Sequence, residues 1–361
     1  MRPTISVVIP VFDASAVLEE CLDSLAAASE RPLECIVVDD RSTDESARVA
    51  LRHGATVISS DVRRGPAHAR NLGARTARGD ILLFLDADVR PDEHTLRRVR
   101  DAFERDAGLD AIIGSYDEDP SSPGFVSQYR NLMHCFVHRS ANRRASTFWS
   151  GCGAVRRDVF LASGGFDEAY ERPAIEDIEL GYRLVAAGHR VELDPRLTVK
   201  HLKHWTLADM VRCDIFDRGI PWTELIWRDR SMPNDLNLRT SQRVSVALVG
   251  LALALSLAIG GGGLQAASRP ALATTALGLA GAWLFATAWV VALNHRFFRF
   301  LTRQRGAGFA LAAVPMQVGF YVHAGVAFAI GTARYAAGLV RARAALAPLE
   351  SDDAPAVARS A

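Results

Sequence analysis

The chain has 361 residues, with 42 basic and 41 acidic side chains and a formal net charge of +1. That balance leaves no electrostatic footprint for a nucleic-acid partner. Five scattered cysteines (Cys21, Cys35, Cys135, Cys152 and Cys213), odd in number and without a C-x-x-C pair, argue against a disulfide framework or a zinc site and fit a reducing compartment. The length suggests two units, and the apolar excess behind the mean hydropathy of +0.07 sits after about residue 244.

The first 115 residues alternate strand and helix patterns. Met1–Asp13 runs directly into the β-branched stretch Ile5–Phe12, which reads as a strand and not as a signal peptide. Val17, Leu18, Cys21, Leu22 and Leu25 have the spacing of one helix face. Leu33–Asp40 is a second strand, followed by a helix ending near Gly54. Ala55–Ser59 is a third strand, "GPAHARNLGARTARG" a helix, and "DILLFLDAD" a fourth strand. Strands alternating with helices predict an α/β fold with a mostly parallel, Rossmann-like sheet flanked by helices, whose ligands bind at the carboxyl ends of the strands. Asp39, Asp40, Asp86 and Asp88 all lie at such ends.

Asp86 and Asp88 are the sharpest signal. Residues i and i+2 of a strand point the same way, so both carboxylates face one crevice if the strand persists. Like charges that close repel unless a cation lies near them. Mg²⁺ suits such a pair, because it takes one or two carboxylates and completes its shell with phosphate and water oxygens. The competing reading makes Asp88 a cap for the next helix, "PDEHTLRRVR". Asp39 and Asp40 could accept from a base N–H, or form an Asx turn. Arg70 could meet a diphosphate or a base carbonyl, or lie on a helix surface.

Residues 116–205 are less regular. Glu176 and Asp177 stand at a helix start after Pro173, where acidic residues suit the helix dipole. A carboxylate there could also act as general base on an acceptor hydroxyl. Gly151 and Gly153 permit close backbone approach, Trp149 could floor a sugar site, and His201 could be a neutral metal ligand beside Asp88. Residues 206–243 are amphipathic and basic, with Phe216, Trp222 and Trp227 among Arg212, Arg218 and Arg228. They could lie in a membrane interface or form an elbow between two domains.

Composition then changes. Val244–Ser268 and Pro270–Asn294 carry no charge, and each is long enough to cross a bilayer at about 20 residues per span. "HRFFRFLTRQR" (295–305) holds four arginines. Basic loops stay cytoplasmic, which predicts an inner-membrane protein whose N-terminal domain faces the cytoplasm. The third apolar stretch, Gly306–Ala333, is either a further span or a re-entrant segment. A full crossing would leave Arg334, Arg341 and Arg343 outside, against the rule. The expected division is 1–205 catalytic, 206–243 linking or interfacial, 244–340 transmembrane and 341–361 a disordered tail.

Taken in order, "VVIPVFD", "VVDDRSTDES", "ARNLGARTARGDILLFLDAD", "SGCGAVRRDVFLASGGFDE" and "EDIELGYRL…GHRV" resemble the family 2 glycosyltransferases of the GT-A fold over about residues 4–205. The resemblance implies a nucleotide-diphosphate sugar donor and inversion at the anomeric carbon. It implies that Pro10, Asp39 and Asp40 surround the base, with Arg70 and Asp86 near ribose or diphosphate. It also implies that Asp88 holds Mg²⁺ or Mn²⁺, with His201 as a histidine often found after the Glu-Asp pair, and that Asp177 of that pair is the base. The Gln-x-x-Arg-Trp of processive members is missing, which implies transfer of one sugar. The spans resemble those of members that glycosylate lipid carriers. UDP suits the carboxylates, and GDP is also compatible. Expected partners are therefore a nucleotide sugar, a lipid or glycan acceptor such as a polyprenyl phosphate or glycolipid, and a membrane. Competing classes are a transferase acting on a soluble or cell-wall glycan, a nucleotidyltransferase on a similar sheet, and a non-catalytic membrane scaffold.

Overall fold

The computed structural model describes residues 2–262 and 269–351. The first half reads β1 (Ile5–Val11), α1 (Ser15–Ala26), β2 (Glu34–Asp39), α2 (Ser46–Arg52), β3 (Thr56–Ser59), α3 (Pro66–Thr76), β4 (Ile81–Leu85), β5 (Val89–Pro91), α4 (Thr95–Arg105), β6 (Ala111–Tyr116) and α5 (Phe125–Ser140). Then come β7 (Cys152–Arg156), α6 (Arg157–Ala162), α7 (Glu176–Ala186), β8 (Val191–His201), α8 (Leu207–Arg212), a π-helix (Cys213–Gly219) and α9 (Ile220–Asp229). A 3₁₀ turn at Leu236–Leu238 leads to α10 (Thr240–Gly262), α11 (Arg269–Leu293), α12 (His295–Arg305) and α13 (Ala307–Ser351).

All eight strands form one mixed sheet in the order β3-β2-β1-β4-β7-β6-β8-β5. The β3-β2-β1-β4 half is parallel, as the alternating pattern predicts. Beyond β4 the sheet is mixed: β7 runs antiparallel to both β4 and β6, β8 parallel to β6, and β5 antiparallel to β8. β4 is buried along its whole length, which is why its sequence is a continuous apolar run with no alternation. Phe84 packs edge-on against Phe148 and Phe166 and at a tilt against Phe160. Truncating a fully buried phenylalanine of this kind costs about 3–5 kcal/mol, so this cluster fixes the strand end that carries Asp86.

Two registers set the site. Leu85 pairs with Cys152, which brings Trp149 and Ser150 to the end of β4. Val89 pairs with His201, and the Leu202 amide donates to the Asp88 carbonyl at 2.8 Å. Residues more than a hundred positions apart thus meet beside Asp88.

α10, α11 and α13 are long and apolar enough to cross a membrane, over Thr240–Ile259, Ala273–Leu293 and Ala307–Ala342. The third apolar stretch is one uninterrupted helix through Pro315. It also packs on α5 of the sheet domain and on α9. Phe309 packs on Phe125, Gln317 accepts from Tyr129 at 2.8 Å, Thr332 accepts from Trp227 at 2.9 Å, and Arg334 pairs with Glu224 at 2.9 Å. Tyr129, Leu132 and Met133 of α5 share a core with Phe297, Phe298 and Leu301 of α12. Within the expected tail of 341–361, α13 continues to Ser351 and residues 352–361 lie outside the described residues. The link at 263–268 lies outside them as well.

Candidate active site

A cleft of about 330 Å³ opens at the carboxyl ends of β1 and β4, lined among others by Pro10, Asp40, Arg70, Asp86, Asp88, Trp149, Glu176, Asp177 and His201. These nine sequence-predicted residues come from seven separate segments, and the fold brings them to one place.

Arg70, on the buried face of α3, is the electrostatic centre. Its Nη1 donates to Glu176 Oε1 at 2.8 Å and its Nη2 to Asp86 Oδ1 at 2.6 Å. Burial alone would lower the Arg70 pKa, but the charges of Asp86 and Glu176 outweigh it and hold the guanidinium firmly protonated. Glu176 also accepts from the Ala174 amide at 2.9 Å. Both its oxygens are therefore engaged, which suits it to positioning. Asp86 is pushed up, first by burial, then by Asp88, against the pull of Arg70.

Asp177 differs from its neighbour. Its Oδ2 accepts from the Ser150 amide at 3.1 Å and from the Ser150 hydroxyl at 3.3 Å. Burial and the adjacent Glu176 charge push its carboxyl up to about 6, near the range of a general base working at neutral pH. The helix carrying it is seated by Gly181: a Cβ there would lie 2.0 Å from the Phe148 nitrogen. Only glycine lets α7 approach the 147–148 backbone so closely.

Asp88 faces His201, with 3.4 Å between Asp88 Oδ2 and His201 Nε2. Burial would raise the Asp88 carboxyl, but the hydrogen bond and charge of His201 outweigh it and hold it below its ordinary value. His201 Nδ1 lies 2.6 Å from Asn131 Oδ1, and Tyr116 stacks on the ring with centroids 4.4 Å apart. When Nδ1 donates to that amide oxygen, Nε2 presents its lone pair toward the carboxylate. Two acceptors so placed need a proton or a cation between them, and a carboxylate oxygen with an imidazole nitrogen is a donor set that accepts a divalent cation. Among the described residues no group of three His, Cys, Asp or Glu side chains converges to hold a metal unaided. Further ligands would have to come from outside the protein, as magnesium sites commonly take them from phosphate and water oxygens.

Three predicted residues are placed outside the cleft lining. Asp39 is buried and its Oδ1 accepts from the Ser42 amide at 2.9 Å, the Asx-turn role. Gly151 and Gly153 leave room for aromatic rings, since a Cβ would lie 2.7 Å from Trp149 Cζ2 and 2.7 Å from Phe148 Cζ respectively. Asp40 lines the cleft but spends both oxygens on the turn before α3, accepting from Arg64 N at 2.9 Å and Gly65 N at 2.7 Å. Gly65 is left-handed, φ +88°, and a Cβ there would lie 2.2 Å from the Glu171 carbonyl oxygen.

Sequence reasoning did not single out Tyr116, Lys203 or Trp205, which also line the cleft, or assign Arg218 there. Lys203 and Trp205 were within reach, because they follow His201 directly in "VKHLKHWT".

Residues 6–162 match the model of the family described as Glycosyl transferase family 2. A validoxylamine A glucosyltransferase from Streptomyces hygroscopicus subsp. limoneus is 30% identical over 269 residues, covering 62% of this chain and 59% of that protein. An undecaprenyl-phosphate 4-deoxy-4-formamido-L-arabinose transferase from Edwardsiella ictaluri is 30% identical over 167 residues, 44% of this chain and 50% of that one. The chain thus spans less than two thirds of the length of these relatives. The structure of a mannosyltransferase from Pyrobaculum calidifontis, in complex with GDP-Man and Mn²⁺, superposes with a TM-score of 0.57 at 23% identity, covering 87% of each chain. The fold is accordingly of GT-A type, and residues 6–162 form a domain similar to glycosyltransferase family 2.

Proposed function

We propose that the chain is a membrane-associated, metal-dependent, inverting glycosyltransferase that moves one sugar from a nucleotide-diphosphate donor, UDP- or GDP-linked, to a lipid-borne acceptor. The observation that carries the reading is the convergence of Asp86, Asp88, Arg70, Glu176 and Asp177 on one cleft in a domain similar to glycosyltransferase family 2. A relative named as an undecaprenyl-phosphate sugar transferase supports the acceptor class, and a GT-A neighbour crystallised with Mn²⁺ supports the metal.

In this reading Asp88 and His201 hold Mg²⁺ or Mn²⁺, which when bound neutralises charge building on the departing diphosphate. Pro10, Phe12 and Asp40 border the base end of the cleft. Arg70 keeps Asp86 and Glu176 in place. Asp177 sits at the far wall, where it takes a proton from an acceptor hydroxyl and orients an acceptor that is already ionised. Trp149 stands beside it, its indole wedged against Tyr116 and His138.

The membrane reading assigns α10 and α11 as a crossing hairpin. α13 contacts α5 of the sheet domain at Phe309 and Gln317 and then α9 at Thr332 and Arg334, about 38 Å of helix at 1.5 Å per residue. That exceeds the roughly 30 Å hydrocarbon core. A helix held to α5 and α9 over that distance lies in the interface in this reading, with its apolar outer face toward lipid. Arg334 and Arg341 then stay on the side of the catalytic domain, as the charge rule requires.

The test is a panel of radiolabelled nucleotide sugars offered to membranes containing the full chain, with lipid extraction of products. A labelled lipid formed with one donor and lost in EDTA supports the reading. Release of pyrophosphate in place of a nucleoside diphosphate favours a nucleotidyltransferase.

A further inference from the structure

No acidic residue occurs between Asp235 and Glu350, a stretch that holds ten arginines. The fold satisfies several of them. Arg243 spends its guanidinium on the carbonyls of Leu238, Met232 and Pro233. Arg334 pairs with Glu224 at 2.9 Å. Arg305, at the end of α12, donates to Gln128 Oε1 at 2.8 Å and to the Glu118 carbonyl at 3.1 Å. Three others on α12 are left over. Arg296, Arg299 and Arg303 are exposed, and their side chains take part in no ion pair or hydrogen bond among the described residues.

The three positions follow i, i+3 and i+7, so they form one row along about 10 Å of helix. The opposite face of α12 is buried: Phe297, Phe298 and Leu301 share a core with Tyr129, Leu132 and Met133 of α5 and with Ala310 and Ala313 of α13. Breaks at both ends fix the helix in place. Asn294 leaves the helical backbone, and Gly306 is left-handed at φ +86°. α12 therefore sits between the end of one apolar span at Leu293 and the start of the next at Ala307. In the membrane arrangement proposed above, that junction lies at the level of the lipid head groups, on the side of the sheet domain. The row is not on a free loop. Its helix is packed on α5, whose Asn131 Oδ1 lies 2.6 Å from Nδ1 of His201 in the cleft.

We propose that the row of Arg296, Arg299 and Arg303 is a binding surface for anionic phospholipid head groups, which seats the sheet domain against a negatively charged bilayer. The inference rests on the membrane arrangement proposed above and is independent of the chemistry in the cleft. It goes beyond the side on which a basic loop resides. Side is satisfied by charge alone, whereas three unpaired guanidinium groups in a row, in a region with no carboxylate of its own, take their counter-charge from outside the chain. Phosphodiester oxygens match a guanidinium in charge and in planar, two-pronged geometry. An interfacial helix ordinarily binds by sinking its apolar face into the bilayer. Here that face is already occupied by α5 and α13, so the attraction left to α12 is electrostatic. It therefore discriminates lipids by charge and weakens with salt. A basic side chain close to an anionic membrane surface is worth about fivefold in affinity, screened over about 8 Å at physiological ionic strength.

The test titrates the full chain, in a neutral detergent, with dioleoylphosphatidylglycerol or dioleoylphosphatidylcholine and counts bound lipid by native mass spectrometry at low and high ammonium acetate. The expected result is that the first phosphatidylglycerol binds at least tenfold more tightly than phosphatidylcholine, with a smaller difference at high salt. Arg296→Gln, Arg299→Gln and Arg303→Gln together bring the two lipids within twofold of each other. Lysine at the same three positions keeps the preference within threefold of wild type, which separates loss of charge from loss of fold. Arg97→Gln with Arg105→Gln, which removes two exposed arginines of α4, leaves the preference unchanged. Equal affinity for the two lipids in the wild-type chain overturns the proposal. So does a preference that survives the triple glutamine variant, or one that disappears in the α4 variant. Membranes carrying the chain are washed in parallel with alkaline carbonate, and release of the chain overturns the membrane arrangement on which the proposal rests. No nucleotide enters either measurement: a chain that prefers the anionic lipid yet transfers no sugar refutes the transferase reading and leaves the head-group surface standing.

Discussion

His201 Nε2 stands 3.4 Å from Asp88 Oδ2, placed there by the pairing of β5 with β8. If the two hold a divalent cation, removing either donor weakens metal-dependent nucleotide binding and removes turnover. Asp88→Asn is expected to lower turnover at least a hundredfold, and His201→Gln at least tenfold. Calorimetric titration of the nucleotide with Mn²⁺ and again in EDTA checks this. Equal affinity in both media for the wild-type chain would remove the cation from the site.

Asp177 carries its own pH signature. Burial and Glu176 raise its carboxyl from 3.8 to about 6, so the fold disfavours the ionised form. The resulting stabilisation of the native state is fully present below the unfolded value of about 3.9 and is lost as the pH rises through about 6. Asp177→Asn removes the ionisable group, so it should raise Tm relative to wild type at pH 8 and have little effect at pH 4. Turnover moves the opposite way, falling at least tenfold at pH 8 with nucleotide affinity changed less than twofold. A Tm gain that is the same at both pH values would contradict the assignment.

Arg70 and Glu176 are each only 5% exposed at the side chain, so their pairing is not a surface ion pair of negligible worth. Arg70→Met leaves a buried carboxylate and Asp86 without their cation. Breaking a buried pair in this way costs about 3–5 kcal/mol. Pairing Arg70→Met with Glu176→Gln should recover a large part of that loss. Chemical denaturation of the two variants tests it, and equal destabilisation would mean that the loss is one of packing.

Gly181 tests positioning apart from chemistry. A methyl group 2.0 Å from the Phe148 nitrogen forces α7 away from the loop before β7 that carries Trp149 and Ser150. Gly181→Ala should lower kcat at least tenfold while nucleotide affinity at the opposite end of the cleft stays within about threefold. A loss confined to affinity would show that α7 does not set the position of Asp177.

The interfacial placement of α13 predicts the side on which its end emerges. A cysteine at Arg341 should react with a membrane-impermeant maleimide from the same face as one at the exposed Arg52. Labelling of the two from opposite faces, in right-side-out and inverted vesicles, would establish α13 as a third crossing.

Much of this was legible in the sequence because it depends on local pattern. The apolar run Ile81–Leu85 and the carboxylates after it require only a buried strand and its end. Glu176 and Asp177 were readable because acidic residues after Pro173 mark a helix start, and α7 begins at Glu176. The mixed half of the sheet was not readable, because β5 has three residues and its partner lies a hundred positions away. The division of labour between Asp39 and Asp40 was hidden for the same reason: Asp40 is claimed by the Arg64 and Gly65 amides across the chain. Arg218 looked like one of several arginines in a basic stretch. Its setting comes from α5, α10 and α13 closing around it.

Trp149, Ala174, Asp177 and Arg218 line both the cleft and a second cavity of about 510 Å³ behind it, walled also by α5, α9, α10 and α13. In the proposed membrane arrangement one of these spaces opens toward water and the other toward hydrocarbon. With an amphiphile as acceptor, the spent nucleotide and the glycosylated product have different exits and need not queue for one door. A chain so built can reload from the aqueous side while the previous product is still diffusing laterally away, and its turnover would then respond to lipid fluidity separately from nucleotide supply.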